Sequence, residues 1–88
     1  MNKIEGEVTI VNPHGLHARP AAIFVQIANK YDSGVMLGKD GESIDAKSII
    51  AILSLGVNTG MKVKLVVEGM DAQEAFGELK SFLENSHD

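Results

Sequence analysis

One short stretch gathers the reactive side chains of this chain: Asn12-Pro13-His14-Gly15-Leu16-His17-Ala18-Arg19-Pro20-Ala21. Of its eight basic residues seven are lysines, and the only arginine, Arg19, stands two residues after His17. A guanidinium is a planar fork matched to phosphate or carboxylate oxygens, and an uncharged imidazole is a nucleophile. Apolar residues at Leu16, Pro20, Ile23, Phe24, Ile27 and Tyr31 recur at helical spacing, predicting a helix over about 18–30. That places His17 at or beside the N-cap, next to backbone N–H groups without intrahelical acceptors. The positive end of the helix dipole favours the uncharged ring there. The amides of Ala18 and Arg19, with the Arg19 guanidinium, would then hold an anion attached to the ring. A phosphoryl group on a ring nitrogen meets both conditions. A capping or surface histidine beside an unrelated arginine is the other reading that local chemistry leaves open.

Other chemistries fit poorly. His14 and His17 are only three residues apart, cysteine is absent and no carboxylate lies near, so no metal site is expected. Pro13 and Gly15 put His14 in a turn directed elsewhere, and His87 falls in a tail, residues 85–88, expected to fray. No acid is placed to orient His17 as in a hydrolytic triad, and a chain this small leaves little scope for a closed pocket.

A second block begins at Ser48. Ile49, Ile50, Ile52, Leu53 and Leu55 go nearly all the way round a two-turn helix that ends at Gly56. Only one face of such a helix can press on a sheet. With Ile52 and Leu55 inward, Ile50 and Leu53 stay exposed, as on a partner surface; a wholly buried segment is the competing reading. Ser48 suits the N-cap. A phosphate there would be welcomed by the helix terminus and would set about two negative charges beside the apolar patch.

These two segments need a scaffold, and the rest of the chain predicts one. Residues 3–11 alternate, with Ile4, Val8 and Ile10 on one face and Lys3, Glu5, Glu7 and Thr9 on the other, which is a half-buried strand weakened at Gly6. Strands are predicted over 34–39 and 42–45, joined at Asp40-Gly41 by a two-residue hairpin turn. Val63, Leu65 and Val67 alternate with Lys62, Lys64 and Glu68 in a fourth strand. Ala72, Ala75, Phe76, Leu79, Phe82 and Leu83 repeat at helical spacing after Asp71, an N-cap that would form a capping box with Glu74. The order is βαββαβα. Amphipathic strands require one covered and one wet sheet face, so the fold class is α/β of the α+β type, an open-faced two-layer sandwich. If the first and last strands are neighbours, Lys62 and Lys64 can face Glu5 and Glu7 on the wet side.

Composition narrows the function classes. Eighty-eight residues suit a single domain spanning 1–88, and apolar (44%) and charged (23%) fractions are those of globular chains, not of disordered ones. A net charge of −4 argues against a nucleic-acid partner. The lack of cysteine suits a reducing cytoplasm, and no apolar run has the length to insert in a bilayer or the form of a signal peptide.

The stretch from Asn12 to Ala21 resembles the active-site signature of the histidine-containing phosphocarrier protein (HPr) family of the bacterial phosphoenolpyruvate-dependent sugar phosphotransferase system. The stretch from Ala46 to Gly56 resembles the family's second signature, around its regulatory serine, and length and element order agree over almost the whole chain. The resemblance implies a four-stranded antiparallel sheet with three helices on one side. It implies a carrier, not an enzyme in its own right, that needs no cofactor and acts as a monomer. His17 would carry phosphate on Nδ1, Arg19 would be the active-site arginine, and Ser48 the serine modified by HPr kinase/phosphorylase and read by a catabolite-control transcription regulator. Ile49, Ile50, Leu53 and Gly56 fall where the family docks Enzyme I, the donor, and the IIA domains of sugar permeases, the acceptors. Ile50 and Leu53 stand where some members place Phe, Met or Gln, which bears on partner preference. A regulatory branch lacks the histidine, and His17 separates the chain from it. A nitrogen-related branch with similar carriers, a binding module that is never phosphorylated and a small stand-alone enzyme are the alternatives.

Overall fold

Every predicted element is present in a computed structural model of the chain, which describes residues 2–13 and 15–85. His14, with the direction expected of its side chain, and the tail from Ser86, His87 included, lie outside the described residues. The elements are β1 (Asn2–Thr9), α1 (Ala18–Ala28), β2 (Gly34–Lys39), β3 (Glu42–Asp45), α2 (Ile49–Leu55), β4 (Lys62–Gly69) and α3 (Ala72–Glu84). The strands form one sheet in the order β1-β4-β2-β3, with every neighbouring pair antiparallel.

Alternation along the strands decides what the two faces carry. Val8, Val35, Leu37, Val63, Leu65 and Val67 are buried on the inner face beneath Phe24, Ile52, Ala75, Leu79 and Leu83 of the helices. At Gly6 a Cβ would come 3.2 Å from Phe76 Cζ, so the bare backbone gives α3 room to settle on β1. On the outer face Glu7 lies opposite Lys64, and the ion pairs run diagonally, Lys64 to Glu5 at 3.0 Å and Lys62 to Glu7 at 3.8 Å. Lys64, first by its hydrogen bond and then by its charge, lowers the Glu5 carboxyl pKa below its ordinary value. Such exposed pairs select register more than they stabilise.

Four expectations need correction. Helix α1 ends at Ala28, two residues short of 30, where Asn29 becomes the C-cap and its side-chain amide donates to Val25 O at 2.9 Å. Ile23 belongs to the apolar repeat yet remains 40% exposed, because the face of α1 that enters the core is that of Ala21, Phe24 and Ala28. Asp71 is the N-cap of α3, but its carboxylate forms no capping bond. It accepts instead from the backbone N–H groups of Asp32 and Ser33, both at 3.0 Å, and from the Ser33 hydroxyl. Three donors from the α1–β2 turn outcompete the helix's own amide, and they lower the Asp71 pKa. Asn85 does not hang free: it is the C-cap of α3, its amide donating to Ser81 O.

Candidate functional site

His17 is the N-cap of α1, in an extended backbone conformation. Its carbonyl takes the first helical hydrogen bond, from Ala21 N at 2.8 Å, so the amides of Ala18 and Arg19 are left without an intrahelical acceptor. Pro20 completes that first turn and has no N–H to strand. His17, Ala18 and Arg19 are all exposed. The His17 ring forms no capping bond, and among the described residues neither it nor the Arg19 guanidinium has a hydrogen-bond or ion-pair partner. Both side chains therefore stand ready for a ligand.

The loop that delivers His17 is held from below. Leu16 is buried and its amide donates to Val57 O at 3.0 Å; Gly15 N donates to Asn12 O at 2.9 Å. Gly15 has φ of +62°, and a Cβ on it would lie 2.7 Å from Val57 O and 2.9 Å from Asn58 Cα. No residue other than glycine fits that approach without displacing backbone. Above the loop opens a cleft of about 840 Å³ whose wall includes His17, Arg19, Ile23, Asn58, Thr59 and Phe82. Asn58, Thr59 and Phe82 have no sequence signal linking them to His17, being more than forty residues away. Ile23, by contrast, was legible as apolar, though not as part of this wall.

On α2, Ser48 is the N-cap and its hydroxyl accepts from Ala51 N at 3.3 Å. Ile52 and Leu55 are buried, Ile50 is 75% and Leu53 43% exposed, and Ile49 is half-buried. Gly56 closes the helix in the left-handed conformation, and its carbonyl accepts from Lys39 Nζ at 3.1 Å. Helices α1 and α2 pack on each other. The wholly buried reading of residues 48–55 is thus excluded. Among the described residues no cluster of three or more His, Cys, Asp or Glu side chains could hold a metal ion, and no helix is long and apolar enough to cross a membrane.

A four-stranded antiparallel sheet under three helices, with an exposed histidine opening the first of them, defines the class of histidine phosphocarrier domains. The family model described as the PTS HPr component phosphorylation site matches residues 4–85, and the chain belongs to the HPr family. It is 44% identical over 81 residues to the HPr-like protein Crh of Bacillus subtilis, covering 92% of this chain and 95% of that one. It is 45% identical over 82 residues to the phosphocarrier protein HPr of Haloferax volcanii, covering 91% and 92%. The crystal structure of HPr from Bacillus anthracis superposes with a TM-score of 0.91 at 38% identity, over 94% of this chain and 99% of the other. The Bacillus subtilis Crh crystal structure, similar at a TM-score of 0.75 and 45% identity over 91% and 92% of the two chains, is a dimer with a swapped domain. A monomer is therefore not a property of every relative.

Proposed function

We propose that the chain is a phosphoryl carrier of the phosphotransferase system, with His17 as the residue that takes and gives up the group. The observation that carries this reading is an exposed imidazole at a helix N-terminus, uncommitted to capping, beside two amides and a guanidinium that have no partner among the described residues. An uncharged ring nitrogen of His17 attacks the phosphorus of a phosphohistidine on Enzyme I. A new N–P bond forms as the old one breaks; the His17 ring gives up the proton on its other nitrogen, and the departing imidazole of Enzyme I takes up one in exchange. Arg19 and the amides of Ala18 and Arg19 balance the charge on the phosphoryl oxygens. Delivery to a histidine of a IIA domain reverses these events. Because the site is exposed, water competes with every contact, so the phosphoryl group is held without being over-stabilised.

The apolar pair Ile50 and Leu53, with Ile49 and Gly56, forms the surface on which these partners dock, within the same helical layer as His17. We place the carrier in the cytoplasm, working as a single copy. Sedimentation at the mass of one chain is expected; twice that mass would group it with dimeric Crh. The carrier reading is tested with His17→Ala, which should neither accept phosphate from phosphoenolpyruvate and Enzyme I nor pass it to a IIA domain. If wild type and variant bind these partners alike and neither is phosphorylated, the chain is a binding module.

Likeness to Crh, whose structure is described as that of a catabolite-repression protein, favours a regulatory role for Ser48 alongside carriage. A phosphate at this N-cap would face the helix amides while charging the edge of the docking surface. Ser48→Asp should keep the fold and weaken transfer from Enzyme I; transfer kinetics equal to wild type would remove Ser48 from the docking surface.

A further inference from the structure

The turn that carries His17 is laced to the loop between α2 and β4 by four hydrogen bonds. Three are between backbone groups: Ile10 N to Met61 O at 2.9 Å, Gly60 N to Ile10 O at 2.8 Å and Leu16 N to Val57 O at 3.0 Å. All three grip the flanks of the turn. The fourth grips the turn itself and comes from a side chain, the Thr59 hydroxyl donating to Asn12 O. Asn12 O also receives Gly15 N at 2.9 Å, so both lone pairs of that carbonyl are used and the turn is closed from within and from without. Asn12 is buried, Thr59 is exposed, and both line the cleft that His17 opens onto.

We infer that Thr59 is a positioning residue for His17: its hydroxyl clamps the 12–15 turn and so holds the imidazole in register with the amides of α1. The inference rests on the carrier reading and deepens it. Thr59 does not touch the reacting atoms; it acts through Asn12 and Gly15. In-line transfer needs the attacking nitrogen aligned to a fraction of an ångström, so a loosened turn costs rate more than affinity. Thr59 is exposed and its bond is one among four, so removing the hydroxyl leaves the fold in place.

The test compares wild type, Thr59→Val and Thr59→Ser in single-turnover transfer from Enzyme I phosphorylated with phosphoenolpyruvate. Thr59→Val should lower the limiting rate about tenfold with the half-saturating donor concentration unchanged, and should speed hydrogen exchange at the Gly15 amide. Thr59→Ser, which keeps the hydroxyl, should restore both. A Thr59→Val variant with the wild-type limiting rate, one that moves only the half-saturating concentration, or a serine variant as slow as valine would overturn the role of Thr59 and leave the carrier reading standing. No acid-labile phosphate on wild-type His17 would take down the carrier reading and this role together.

Discussion

At the level of single residues, Arg19 and Gly15 act on His17 in different ways. Arg19 is exposed and unpaired among the described residues, so the fold asks nothing of its charge. Arg19→Ala should leave thermal unfolding unchanged while slowing phosphoryl transfer on the order of tenfold to a hundredfold, read in stopped-flow or quench experiments. An equal rate would exclude the guanidinium from the mechanism. Gly15 is the opposite case, since its left-handed φ of +62° and the 2.7 Å approach to Val57 O are demands of the backbone. Gly15→Ala should cost about 2 kcal/mol of stability in denaturant unfolding, as backbone strain plus displaced neighbours. Both residues lie in the stretch whose chemistry was legible from sequence. The reason Gly15 is required was not, because Val57 and Asn58 meet it only through the fold.

At the level of elements, helix α3 and the α1–β2 turn are joined by Asp71 and Glu78. Glu78 accepts from Lys30 at 2.7 Å and from the Tyr31 hydroxyl at 2.5 Å. Those two donors lower the Glu78 pKa, while the same bond from Glu78 pushes Tyr31 up to about 12. Asp71 is held low by the Ser33 hydroxyl first, then the Asp32 and Ser33 amides. A carboxylate whose folded pKa lies below its unfolded value stabilises fully above about pH 4, and that stability is lost as pH falls through the lower folded value. Asp71→Asn should therefore lower Tm at neutral pH and flatten the decline in stability below pH 4; an unchanged acid limb would show that the turn is not held this way. Periodicity revealed these elements because each buries one face. It misassigned Asp71 to a capping box because local spacing cannot register a partner 38 residues away. Ile23 was misplaced for a related reason: a stripe shows which face is apolar, while the packing of α1 against α2, α3 and the core decides how much of it is covered.

For the molecule as a whole, the sheet is the rigid base and the helical layer carries the two candidate functional surfaces. The pairing of Lys62 and Lys64 with Glu5 and Glu7 was legible only on the condition that β1 and β4 are neighbours, which the fold supplies, while the exposure of Ile50 and Leu53 was legible in the near-complete apolar girdle of α2. The cleft beside His17 was not legible, since it forms where the 12–15 turn, the loop after Gly56 and the end of α3 meet. The account as a whole makes a single demand: a phosphoryl group must reach one ring nitrogen in this chain from a second protein. Incubating the protein with phosphoenolpyruvate and Enzyme I, then mapping modified peptides by mass, tests that demand directly. One acid-labile phosphate on His17, absent when Enzyme I is left out, is the predicted result. Phosphate on another residue, or none at all, would contradict the account.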